Sequence, residues 1–309
     1  MTNSDFPRRE FLKTLAACPS ILPFTTGCGT SHREQTMPPP PAKQTNLQDS
    51  LFVLDTWFWK NNLRIPQQNE LLRELDIPRT TDCRANWESF PETLGRLDRD
   101  GIELIAVYSP FSIDDETLPG HLKDLTRQLA GRKTFLWVSL NSRKIRPSDP
   151  AGDEIGVHLT KQTAEMAQEQ GLRISLYPHV GCWVERTGHA FEIAEKAGLQ
   201  NVGCTFNLYH WLKTEGPNDL TKKAESIFPR LDCLTINGSP QDISSLPVEE
   251  GILPLGEGDY DVRSFVETFH KMGFRGPIGL QGYGIGGDIH AKLAASLEEW
   301  KKYSRWIEG

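Results

Sequence analysis

Asn201-Val202-Gly203-Cys204-Thr205-Phe206-Asn207-Leu208-Tyr209-His210 is the stretch that decides the fold. The run Asn201 to Thr205 is short and mostly apolar, with no helical spacing, and reads as a strand of a barrel. It ends in an amide, Asn207, followed three residues later by an imidazole, His210. Polar groups gathered at the carboxyl end of a buried strand mark the face where parallel barrels carry out chemistry.

The same alternation extends outward through the chain. Apolar runs at Leu51–Asp55, Ile102–Tyr108, Thr134–Leu140, Arg173–Tyr177, Asp232–Ile236 and Pro277–Leu280 read as further strands. A weaker run at Ile77–Asp82 completes a count of eight. Helical stretches separate them: in Glu154–Gln170, Ile155, Leu159, Thr163 and Met166 recur at three- and four-residue spacing. His189–Lys196, Leu220–Ile227 and Val262–Met272 follow the same pattern. Gly171, Gly198 and Gly273 stand where three of these helices should end. Eight strand–helix units over roughly 250 residues predict a single (β/α)8 barrel from residue 49 to 309. A doubly wound sheet is the alternative, but no Gly-x-Gly-x-x-Gly follows the first strand.

The 309 residues carry a formal charge of −7; the first 48 contribute +2 and the remainder −9. An acidic body argues against nucleic acid as a partner and against electrostatic attachment to anionic lipid. Of six cysteines, Cys83, Cys182, Cys204 and Cys233 lie in the body without a Cys-x-x-Cys pairing. Neither a zinc site nor disulfides are expected.

Residues 1–28 read differently. Arg8-Arg9-Glu10-Phe11-Leu12-Lys13 resembles a twin-arginine export motif, Thr14–Phe24 is short and mostly apolar, and Thr25-Thr26-Gly27-Cys28 resembles a lipobox. Residues 29–48, with Pro38-Pro39-Pro40-Pro41, form a stiff spacer. Export to the periplasm of a bacterium is expected, free or as a lipoprotein held at the membrane only by this lipid anchor.

The predicted strand ends collect Asp55, Tyr108, Tyr177-Pro178-His179, Asn207, His210, Asn237, Gln281 and Tyr283. Trp183, Glu185, Trp211 and Lys213 lie just beyond them. Aromatic faces pack on sugar C–H groups, and amides and imidazoles bond hydroxyls, so a small carbohydrate is the expected partner.

Leu176-Tyr177-Pro178-His179, Val202–Lys213, Thr235-Ile236-Asn237-Gly238 and Gly276–Tyr283 resemble the xylose isomerase-like superfamily, and the likeness covers most of residues 50–305. That resemblance implies a TIM barrel and a sugar isomerase or epimerase. In metal-using members the ends of strands 5 to 8 supply Glu, Asp, His and Glu. Those positions here are Tyr177, Asn207, Asn237 and Gln281. Without acidic oxygens a Mn²⁺, Mg²⁺ or Co²⁺ cofactor is not expected.

His179 and His210 are then the leading proton-transfer candidates, with Tyr177 as a donor and Lys213 as an oxyanion stabiliser. Asp55 or Glu185 offers a base. Asn207, Asn237, Gln281, Tyr283, Trp183, Trp211 and Glu185 are expected to contact substrate. The rival expectation is a barrel that binds carbohydrate without turning it over.

Overall fold

The computed structural model describes residues 46–84 and 86–309; the stretch read as an export signal and most of the expected spacer lie outside them. The strands are β1 (Leu51–Val53), β2 (Arg79–Asp82), β3 (Glu103–Ser112), β4 (Phe135–Asn141), β5 (Arg173–Leu176), β6 (Val202–Asn207), β7 (Leu231–Ile236) and β8 (Ile278–Leu280). All are parallel, each pairs with its sequence neighbours, and β1 closes on β8 through Leu51↔Ile278, Phe52↔Gly279 and Val53↔Leu280. The fold is a single (β/α)8 barrel.

Helices cover the outside and return the chain to the next strand. Asp153–Glu169 links β4 to β5, Thr187–Ala197 links β5 to β6, and Ile289–Glu308 follows β8. Gly171, Gly198 and Gly273 all adopt positive φ directly after helices, as their sequence positions require.

Two strands differ from their sequence readings. β2 is faint in sequence because it is Arg-Thr-Thr-Asp, yet Thr80 and Thr81 are buried. Their hydroxyls are satisfied: Thr80 Oγ1 donates to the Val53 carbonyl (2.9 Å) and Thr81 Oγ1 to Asp55 Oδ1 (2.7 Å). β3 runs to Ser112 instead of stopping near Tyr108, because its pairing with β4 continues to Ser112↔Asn141.

Inside the barrel, Phe52, Leu54, Phe135, Trp137, Tyr177 and Cys233 form a compact cluster. Gly279 makes room for it, since a Cβ there would meet Phe52 Cζ at 2.6 Å. Burying a side chain such as Phe52 contributes about 1.5–3 kcal/mol. Trp137 packs 4.8 Å from the Tyr177 ring, so the barrel is plugged directly below its carboxyl-end mouth.

The start of the described chain packs against the last helix. Leu47, assigned by sequence to the spacer, is buried, and its N–H donates to Glu308 Oε1 at 2.7 Å. Close by in sequence, the Gln48 carbonyl accepts from Trp300 Nε1. Arg173 at the start of β5 pairs with Asp232 on β7 (2.7 Å), reaching past β6 where Gly203 leaves space.

Candidate active site at the barrel mouth

Asn207 ends β6 and caps the short helix Leu208–Thr214 that follows. Its Oδ1 accepts from the backbone N–H of His210 at 2.9 Å, which is ordinary N-cap chemistry. Its Nδ2 donates to Tyr177 Oη (2.6 Å) and to Gln281 Oε1 (2.8 Å). One fully buried amide therefore ties β5, β6 and β8 together and places His210 above the mouth.

His210 meets His179, which follows β5, with ring centroids 4.1 Å apart. His179 Nδ1 lies 2.9 Å from the carbonyl of Val180, a group that only accepts, so Nδ1 carries the proton. His210 Nδ1 faces the Val180 N–H at 3.4 Å, a group that only donates, so Nδ1 is bare. In their neutral forms His179 thus has a bare Nε2, and His210 has an Nε2–H. Burial lowers the pKa of both, and the neighbouring His179 pushes that of His210 down further. The tyrosines are held as phenols: burial raises Tyr177, and it raises Tyr108, whose ring is 5.5 Å from that of Tyr177.

The β1–β2 side contributes a buried carboxylate. Asp55 Oδ1 accepts from Thr81 Oγ1 and the Cys83 N–H, and Oδ2 accepts from Trp59 Nε1 at 2.9 Å. Burial raises its pKa against these hydrogen bonds. Next to it, burial and then the charge of Asp55 push Asp82 up to about 7. Sequence reasoning named Asp55 but missed Thr81, Asp82 and Cys83, since β2 carries no apolar signal.

Several predicted site residues fall elsewhere. Trp183 is fully buried, seated against Gly152 and Gly156 with its Nε1 on the Asp149 carbonyl. Trp211 packs into Phe206 and Phe265 behind β6. Both are core residues, and neither is a sugar platform. Lys213 Nζ donates to the carbonyls of Ile243, Ser244 and Leu246 at 2.7–2.9 Å, so its three protons hold a loop. Glu185 accepts from the Gly181 N–H and shapes the turn after His179. Asn237 is buried at the end of β7; Nδ2 donates to Gly238 and Gly251 carbonyls, while Oδ1 has no partner among the described residues. Tyr283 is half-buried and meets Trp59 edge-on at 5.8 Å.

A surface groove of about 410 Å³ lined by Trp87, Phe90, His121, Asp124 and Arg127 is separate from this centre. Its His121 ring stacks on Trp87, and its Asp124 and Arg127 pair with each other.

Residues 124–307 match the family model described as xylose isomerase-like TIM barrel. The chain belongs to that family. No curated protein sequence matches it. Among solved xylose isomerase-like and related barrels, it is similar to the 3-keto-D-glucoside 4-epimerase YcjR from E. coli (TM-score 0.66, 13% identity, 82% of this chain and 99% of that one). The probable 3-DHS dehydratase AsbF from Bacillus anthracis gives a TM-score of 0.64 at 11% identity over 81% and 97% of the two chains. The IolI protein with a bound zinc atom gives 0.63 at 12% identity over 84% and 97%. At these identities the likeness establishes the shared fold alone.

The metal that this xylose isomerase-like fold implies can be tested against the residues present. Asn207 turns its NH₂ toward Tyr177 and Gln281, and its oxygen is spent on the His210 N–H. Gln281 Oε1 in turn accepts from Asn207. No anionic oxygen stands at the four matched positions, and among the described residues no three His, Cys, Asp or Glu gather as ligands. This donor set does not fit a hard divalent cation.

Proposed function

We propose that this barrel moves a proton at a carbon next to a carbonyl in a carbohydrate or a keto-polyol, as in isomerisation or epimerisation, without a divalent metal. The observation that carries the reading is the pair of opposite tautomers at His179 and His210. His179 Nε2 takes the proton from carbon, and the C–H electrons become the C=C of an enediolate. His210 Nε2–H donates a hydrogen bond to the oxygen on which negative charge builds. Return of the proton from His179 to the neighbouring carbon, with the hydroxyl proton passing between the two oxygens, completes an isomerisation.

The lowered histidine pKa values support this division of work, because both rings stay neutral near pH 7. The unpaired Oδ1 of Asn237 supports recognition of a hydroxyl donor, since a buried acceptor without a partner is costly to leave unused. The similarity to a protein named as an epimerase is consistent with the reaction class. The amino-terminal motifs support an exported location for the activity.

The test is solvent-deuterium exchange into a panel of aldoses, ketoses and sugar acids, followed by NMR. Exchange into one of them that disappears in His179→Ala and in His210→Ala is expected. Exchange that persists in both folded variants sinks the assignment. Binding without exchange would instead support the rival, a barrel using Asn207, Asn237 and Gln281 for recognition alone.

A further inference from the structure

The rim between β1, β2 and β8 carries a cation that the proton-transfer centre leaves unused. Arg84, just past β2, lays its guanidinium over the Trp59 ring with Cζ 3.7 Å from the centroid. The indole beneath is fixed, because Nε1 donates to Asp55 Oδ2 and Tyr283 meets it edge-on at 81°. Arg84 is exposed, and its guanidinium makes no ion pair or hydrogen bond among the described residues. Only its backbone N–H is engaged, on Asp82 Oδ1. Asp55 forms no ion pair with it: the Asp55 oxygens accept from Thr81, Cys83 and Trp59.

A second cation stands on the same rim. Lys60 is exposed and its stem packs on Gly286 of the loop after β8. Beside that loop the helix at Ile289 is capped by the Asp288 carboxylate, and Lys292 Nζ is bound to the Gly286 carbonyl. The anion-seeking groups are therefore the side chains of Arg84 and Lys60, beside the aromatic pair Trp59 and Tyr283.

From this arrangement we infer that the mouth takes an acidic sugar, whose carboxylate or phosphate is held by Arg84 on its Trp59 platform. The inference rests on the carbohydrate reading above and names the substrate class for it. A stacked guanidinium keeps its N–H fork free and loses little rotamer freedom on binding, which suits a planar carboxylate or a phosphate. In a body of net negative charge such a rim also selects: an acidic sugar is repelled elsewhere and attracted here.

The experiment is calorimetry on the full chain with three probes: D-glucose, D-glucuronate and D-glucose 6-phosphate, at low and moderate salt. One of the two anions should bind about tenfold more tightly than glucose, and the advantage should shrink as salt rises. Which of the two wins distinguishes carboxylate from phosphate. Arg84→Gln should raise the Kd of the favoured anion about tenfold, with Arg84→Lys intermediate and the circular dichroism of both unchanged. Glucose binding with no anionic preference overturns this inference and leaves the carbohydrate reading standing. A preference that survives Arg84→Gln also overturns it, placing the anion elsewhere. No binding by any of the three overturns this inference and leaves the carbohydrate reading to the exchange test above.

Discussion

His179 and His210 lie with ring centroids 4.1 Å apart, and the backbone of Val180 holds each in the tautomer that the other lacks. A carbonyl can only accept and an N–H can only donate, so one residue of main chain assigns both protons. The pair is consequently neutral and asymmetric, a lone pair on one Nε2 and a proton on the other.

This pairing has a pH signature. Both folded-state pKa values lie below the ordinary 6.5, so as pH falls the unfolded chain takes up these protons first. The stability the two rings provide is full above pH 6.5 and is lost as pH drops below it toward the lowered values. Thermal melts from pH 7.5 to 5 should show a falling Tm, with a shallower slope in His210→Gln. An identical slope in wild type and variant would remove His210 as the source.

Asn207→Asp should keep the helix cap and break the network. A carboxylate still accepts from the His210 N–H, but it cannot donate to Gln281 Oε1 or Tyr177 Oη. The Tyr177 hydroxyl can turn its proton toward the new carboxylate, but Gln281 Oε1 is left facing a buried charge. That should cost about 1–3 kcal/mol in denaturant melts, and turnover should fall as the added charge favours protonated His210. A variant as stable as wild type would show that Asn207 does not donate to Tyr177 and Gln281.

Trp183 should prove structural. A Cβ on Gly156 would run into its ring, so Gly156→Ala overpacks the site and should cost about 1–3 kcal/mol. Trp183→Phe, placed on that background, should recover part of the loss, because the smaller ring vacates the space. Carbohydrate binding by Trp183→Phe alone should match wild type; a large loss would return this residue to the site.

Lys213→Met separates support from catalysis. Losing three hydrogen bonds to the carbonyls of Ile243, Ser244 and Leu246 should lower stability by roughly 1–3 kcal/mol and loosen that loop. Amide exchange across residues 243–246 should quicken, while the pH profile of any turnover keeps its shape. A shifted profile would instead restore Lys213 to the chemistry.

The strands that the sequence revealed are those made of apolar side chains, such as β4 and β6. β2 was faint because its threonines are buried through hydroxyl bonds to β1, which no hydropathy pattern can register. At the mouth, His179 and His210 were legible because a titratable ring at a strand end is chemically conspicuous. Trp183, Trp211 and Lys213 were misplaced for a shared reason. Nearness in sequence to a strand end does not say whether a side chain points over the barrel or behind it. Trp211 comes one residue after His210, and on a helix that turns it away from the mouth and into Phe206 and Phe265.

By itself, the sequence determined the closed eight-stranded barrel, the face on which its polar groups collect, and the amides standing where acidic ligands are usual in the family. The barrel and its polar face follow from local periodicity and residue chemistry; the amides in place of acids follow from the family resemblance. Only the tertiary structure decided which way each proton points. It took the Val180 backbone to set two tautomers, Asn207 to bridge three strands, and Trp59 to seat Arg84. Hydrogen-bond direction and ring stacking depend on partners far apart in the chain, such as Asn207 and Gln281, 74 residues apart, and sequence spacing carries no information about them.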